Sequence, residues 1–322
     1  MNIYPWQLSS WNEILLNKTK MPHAQIFFGH KTEEINNFVN ELSKSLLCSQ
    51  PDNQNFACGI CQDCLWMETN HPDLKIVDFD SSIDDSSNSN LINVSSARDA
   101  IKFLELTSHQ KNGKKIVVIY DAERLTISAS NALLKTIEEP PNNCLIFLTV
   151  KNIANLLPTI TSRCRLIYLP KPSIDAANDF LKTTSNEDLI DYLEFFNNSP
   201  IELINEKENI SQINTVINEL KKGEKIDLMN INASWLDNGL NWIINLLQKW
   251  SYEILLNKIS QGYNYFPKYK NIINQLSLNA DLKRLLMYQK TLNEIKTYAQ
   301  KPVNKEINLN SAMIEYKKIF IE

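Results

Sequence analysis

Ile116-Val-Val-Ile-Tyr120-Asp121 opens the stretch on which the fold turns. It continues as Ala122-Glu-Arg-Leu125, then Ser130-Asn-Ala-Leu-Leu-Lys-Thr-Ile-Glu-Glu-Pro140-Pro141, then Leu145-Ile-Phe-Leu-Thr-Val150. The first run is β-branched and unbroken in apolarity, as a strand covered on both faces must be. In the middle, Ala129, Ala132, Leu133 and Ile137 recur on one helical face, and two prolines stop the pattern. The last run is a second apolar strand.

Working outward, apolar runs of the same kind lie at residues 25–28, 74–79 and 166–169. Ile35, Phe38, Val39, Leu42, Leu46 and Leu47 make a helical stripe after the first of them. This alternation predicts an α/β domain over residues 1–169, with five parallel strands and helices on both faces. Residues 80–96, acidic and rich in Ser and Asn, read as a mobile surface loop. From Pro170-Lys-Pro172 the strands cease. Residues 170–208 read as a small helical lid domain, broken at Asn197-Asn-Ser-Pro200. Residues 209–322 read as an all-α bundle, with apolar stripes within 236–256, 282–298 and 309–320 and with Trp242 and Trp250 in its core.

Composition excludes several function classes. The 322 residues include six glycines, and none are spaced as G-x-x-x-x-G-K or G-x-G-x-x-G, so neither phosphate-cradling turn exists in this chain. The net charge is −4, with 15 basic and 18 acidic side chains in the first 170 residues and 18 and 19 in the rest. Neither part has the basic excess of a chain that holds nucleic acid alone. Of the 33 basic residues 28 are Lys, so each of the five Arg stands out. The start, Met1-Asn-Ile-Tyr-Pro-Trp6, has no charged leader and apolar segment. No apolar stretch approaches the roughly 18 residues a membrane span needs. With clustered cysteines, these features lead us to expect a soluble protein of a reducing cytoplasm.

Cys48, Cys58, Cys61 and Cys64 form C-x9-C-x2-C-x2-C. Two residues between thiolates let neighbours converge on one ion about 2.3 Å away, and four complete the tetrahedral shell that Zn²⁺ prefers. Gly59 supplies the tight turn inside the first C-x2-C. A closed four-ligand shell leaves no position for water or substrate, so a structural and not a catalytic zinc is expected. Cys144 falls in a strand as a core residue.

A nucleotide-binding protein would place a phosphate loop after the first strand. Here the chain runs Gly29-His-Lys-Thr-Glu-Glu-Ile35-Asn36, which puts Ile35 and Asn36 where the phosphate-binding Lys and the Mg²⁺-binding hydroxyl belong. Glu33 and Glu34 would fill the first helical turn with carboxylates, which repel phosphate. The strand ending in Asp121 has the shape of a Walker-B motif, yet the position of the water-orienting acid holds Ala122. No bound ATP and no hydrolysis by this chain are expected.

The segment Ser130 to Pro141 resembles a helix of the AAA+ clamp-loader subunits, and Thr161-Ser-Arg163-Cys164-Arg165 resembles their S-R-C motif. The cysteine cluster between the first helix and the second strand is similar to that of the bacterial branch of the family. The resemblance implies an AAA+-type domain, a lid and a C-terminal collar. It implies a non-hydrolysing member of a hetero-pentamer with gamma/tau ATPases and a delta subunit, which loads a sliding clamp onto primed DNA within a DNA polymerase holoenzyme at the nucleoid. It also implies that Arg163 reaches a neighbouring subunit's ATP. Two other readings stay open on the residues: an active ATPase of the gamma/tau type with an unusual loop, and a zinc-stabilised DNA-binding protein.

Overall fold

The computed structural model describes residues 3–78, 91–109, 113–231, 233–298 and 304–320. The chain divides into two compact units, Met1–Lys171 and Pro172–Glu322. The first runs α1 (Leu8–Leu16), β1 (Ala24–Gly29), α2 (Thr32–Leu47), α3 (Gln62–Met67), β2 (Leu74–Val77), α4 (Val94–Glu105), β3 (Lys115–Ile119), α5 (Ile127–Glu138), β4 (Cys144–Val150), α6 (Pro158–Thr161) and β5 (Arg165–Leu169). All five strands are parallel, in the order β2-β3-β4-β1-β5. This is the five-stranded parallel sheet with helices on both faces that the sequence predicts.

Side chains alternate across each strand, so every interior strand feeds two cores. On one face Ile26, Val117, Ile119, Ile146 and Leu148 meet α4 and α5, where Ala97, Ala100 and Ala129 permit close approach. On the other, Phe27, Val118 and Phe147 meet Trp11 of α1 and Phe38 and Leu42 of α2. Coverage on both faces, expected of all five strands, fails at the edges. Leu166 and Tyr168 of β5 are 47% and 55% exposed, and Ile76 of β2 is exposed as well. An edge strand pairs on one side only, and the crossover helices lie over the interior strands.

The loop reading of 80–96 is corrected at its far end, while residues 80–90 lie outside the described residues. Ile92 bridges to Leu125. Asn93 Oδ1 accepts the N–H groups of Ser95 and Ser96 at 3.0 and 3.1 Å, so residues 94–96 form the first turn of α4. Their Asn and Ser content is a helix cap.

The second unit comprises α7 (Ile174–Thr183), α8 (Pro200–Asn205), α9 (Ile210–Leu220), α10 (Leu240–Ser260), α11 (Lys270–Asn279), α12 (Leu282–Tyr298) and α13 (Lys305–Lys318). Asn197 and Asn198, both at positive φ, make the break before α8. One core runs from Ala177 to Phe320, and Leu181 and Leu193 share it with Ile217, Ile244 and Met313. Within it, Trp250 Nε1 donates to the Tyr316 hydroxyl at 2.9 Å, and that hydroxyl donates to Leu220 O at 2.8 Å. The buried carboxylate of Glu253 accepts the N–H groups of Asn264, Tyr265 and Phe266, which satisfies its charge. Among the described residues no helix is long and apolar enough to cross a membrane.

Candidate metal centre and strand-end cleft

Helix ends place the four cysteines. Cys48 is the C-cap of α2, Cys61 is the N-cap of α3, and Cys64 lies within α3. Between Cys58 and Cys61 the chain turns at Gly59, whose φ of 74° favours glycine. All four Sγ atoms lie within 4.8 Å of one another. Cys48 is 3.6 Å from Cys58 and 3.8 Å from Cys61, and Cys58 is 3.9 Å from Cys64. A tetrahedron of roughly 2.3 Å metal–sulfur bonds has edges of about 3.8 Å, whereas a disulfide holds its sulfurs about 2.05 Å apart. The donor set therefore fits a metal ion and not a disulfide pair.

Backbone N–H groups of Gln50 and Cys58 point at Cys48 Sγ, and that of Cys61 at Cys58 Sγ, each at 3.4 Å. Burial pushes the Cys48 and Cys64 thiols up. Burial acts on Cys61 in the same sense, but hydrogen bonds from Ser49 and the Cys64 backbone outweigh it and bring the thiol down to about 6. The excursion is pinned to the core. Trp11 donates to Gln54 O at 3.2 Å and stacks on Phe56 at 4.8 Å, and the Ser45 hydroxyl donates to Asn55 O.

A second polar cluster beside this module has no local sequence pattern, and sequence reasoning missed it. His71 Nδ1 accepts the Asp73 N–H at 3.0 Å, and its buried ring faces Asp63 of α3 at 3.6 Å. Asp73 in turn accepts the His109 N–H at 2.9 Å and pairs with Lys115 at 3.3 Å. The module is thereby tied to the starts of β2 and β3.

Gly29, Ile35, Asn36, Asp121 and Ala122 gather at the carboxyl ends of β1 and β3. A Cβ on Gly29 would meet Leu169 O at 2.8 Å, so this glycine serves close strand packing. Glu33 and Glu34 occupy the first turn of α2, and Trp6 Nε1 donates to Glu34 at 3.1 Å. Ile35 is 1% exposed and belongs to the core. Asn36 Oδ1 accepts the Thr149 hydroxyl at 2.7 Å, and Thr149 Oγ1 accepts the Asp121 N–H at 3.2 Å. Asp121 sits in the left-handed region at φ 47° and pairs with Arg124 at 3.5 Å. Burial pushes its carboxyl up. Ala122 is buried, and Glu123 turns away to accept the Lys151 N–H at 3.1 Å. A cleft of about 560 Å³ remains, lined by Tyr4, Thr32, Glu33, Asn36, Asn37, Asn40 and Tyr120; among the described residues no Lys or Arg lines it.

Arg163 lies between α6 and β5, at the amino end of its strand and hence at the opposite end of the parallel sheet from Gly29 and Asp121. Its Nε donates to Glu138, and its Nη1 donates to Thr159 O at 3.0 Å and to Ser162 Oγ at 3.3 Å. Its neighbour Cys164 has its thiol raised to about 11 by burial.

The chain matches the family model described as DNA polymerase III, delta subunit, over residues 7–173. It is 27% identical to the DNA polymerase III subunit delta prime of Buchnera aphidicola subsp. Schizaphis graminum, covering 99% of this chain and 98% of that one. Against the delta prime subunit of Pseudomonas aeruginosa it is 30% identical over 60% of this chain and 56% of the relative. For that of Escherichia coli the values are 31%, 62% and 59%, so the chain spans little more than half the length of these two relatives. Among solved structures it is similar to a DNA polymerase III gamma-subunit-related protein of Thermotoga maritima, at 16% identity and a TM-score of 0.44, over 97% of this chain and 99% of that one. With the family model spanning the whole parallel sheet, the cysteine module and the Arg163 segment, the chain belongs to the DNA polymerase III delta-subunit family, among its delta prime proteins.

Proposed function

We propose that this chain is a non-hydrolysing delta prime subunit of the DNA polymerase III clamp loader. It scaffolds a ring with gamma/tau and delta subunits, supplies Arg163 in trans to a neighbouring ATP site, and supports loading of the sliding clamp onto primed DNA. One observation carries the reading: Ile35, at the place of the phosphate-binding lysine, is sunk in the core, while Arg163 is presented at the far end of the same sheet. In this reading the chain, with no Lys or Arg among the described residues that line its own strand-end cleft, lends a guanidinium to another's site. The planar fork of arginine suits phosphate oxygens.

The four cysteines hold one structural Zn²⁺ in this reading, since their sulfur spacing matches its tetrahedral shell. Residues 170–208 act as the lid and 209–322 as the collar that meets partner subunits, in the cytoplasm at the nucleoid. The isolated chain should bind no ATP and turn none over. In a complex reassembled with gamma/tau and delta, Arg163→Ala should lower clamp- and DNA-stimulated ATP hydrolysis, and Arg163→Lys should restore little. A finger in trans is worth roughly 10³–10⁵ in rate at its own site; the loss for the whole complex is smaller because one interface is affected. Stoichiometric ATP binding with turnover by the isolated chain would point instead to a gamma/tau-type ATPase. Salt-dependent DNA affinity of the isolated chain would favour a DNA-binding module.

A further inference from the structure

We propose that Glu138 is the positioning residue for Arg163, an inference that rests on the finger reading above. Glu138 is the last residue of α5, where a carboxylate opposes the negative end of the helix dipole. The pair it makes with Arg163 is 38% and 48% exposed, a setting in which ion pairs add little to stability. Neither fact favours the pair as a stabilising device, and the geometry suggests another use. A guanidinium has five N–H groups. Glu138 takes the one on Nε, and Thr159 O and Ser162 Oγ take those of Nη1. Nη2 has no partner among the described residues, so both of its N–H groups remain for an acceptor outside the chain. Three contacts from two elements thus hold the root of the side chain and present its outer edge to a phosphate oxygen. A side chain ordered beforehand loses less rotamer freedom when it engages.

The test uses the full chain alone and in the reassembled complex. In the free chain the Arg163 Nε–Hε NMR signal, assigned by its loss in Arg163→Lys, should exchange slowly with solvent. Glu138→Ala should collapse it to that of a solvated arginine, while Glu138→Gln, which keeps an acceptor, should preserve it. In the complex Glu138→Ala should lower kcat for ATP by about half or more of the loss given by Arg163→Ala, with KM and melting temperature unchanged. Glu138→Gln should stay near wild type, and the double variant should be no worse than Arg163→Ala. Wild-type turnover with Glu138→Ala beside an impaired Arg163→Ala would overturn the positioning role alone. Wild-type turnover with Arg163→Ala would overturn the finger and the positioning role together.

Discussion

The Thr149 hydroxyl at the end of β4 donates to Asn36 Oδ1 on α2 at 2.7 Å, across 113 residues of sequence. Thr149 Oγ1 itself accepts the Asp121 N–H. Asn36 and Asp121, the two positions here that an ATPase would turn toward Mg²⁺, are thus both committed to Thr149. Their present use is to join the ends of β3 and β4 to α2.

Thr149 is fully buried, so Thr149→Val should leave the Asn36 amide oxygen and the Asp121 N–H without this partner. The expected loss is about 1–3 kcal/mol of stability. Denaturant titration of the full chain checks it, and a midpoint equal to wild type would show that the relay is dispensable.

Protein purified without chelator should carry about one zinc per chain. Because the thiols must be thiolates to bind, metal affinity should fall as pH drops, with protons taken up on release. Metal analysis after stepwise acidification reads this directly. Cys61→Ser should lose the ion and loosen residues 48–64 locally, seen as faster proteolysis there, while the sheet stays folded. Metal-free protein with freely titrating thiols would count against the site.

A truncation after Lys171 should fold, since both cores of the sheet are complete within the first unit. It should fail to join the partner subunits. A truncation after residue 208 should bind a hydrophobic dye, because Leu181, Leu193 and Leu203 would lose the side chains of α9, α10 and α13 that cover them. Equal dye binding by the two fragments would argue against the shared core.

Alkaline pH should destabilise the fold. Burial raises the tyrosines Tyr288 and Tyr316, and lifts Tyr120 from 10.0 to about 12 with Asp78 adding to the effect. A group raised in the folded state contributes fully below its unfolded pKa. Its stabilisation is lost as pH climbs to the folded value. For Tyr120 that window runs from about 10 to about 12. Melting temperatures across it should decline, and a flat profile would refute the assignment.

How much of this was legible in the sequence follows from the range of each interaction. Strands β1, β3 and β4 announce themselves because burial on both faces makes nearly all of their residues apolar. The cysteine site is legible because its ligands lie within 17 residues of chain, and ligand spacing is itself a local signal. Helix α4 was hidden, since its cap at Asn93 has the composition of a loop. The Glu138–Arg163 pair spans 25 residues and the Asn36–Thr149 pair 113. Only the folded sheet brings such partners together, and no periodicity records them.

The hydrogen-bonded sequence from Trp250 through Tyr316 to Leu220 bears on how the chain is made. Every strand of the sheet exists once residue 169 has been synthesised, so the first unit can fold while translation continues. The second cannot close its core until α13 delivers Tyr316 to a carbonyl made 96 residues earlier. Until then α9 and α10 leave the ribosome with apolar faces uncovered. Any chaperone demand of the second unit therefore falls in the interval between the synthesis of α9 and that of α13.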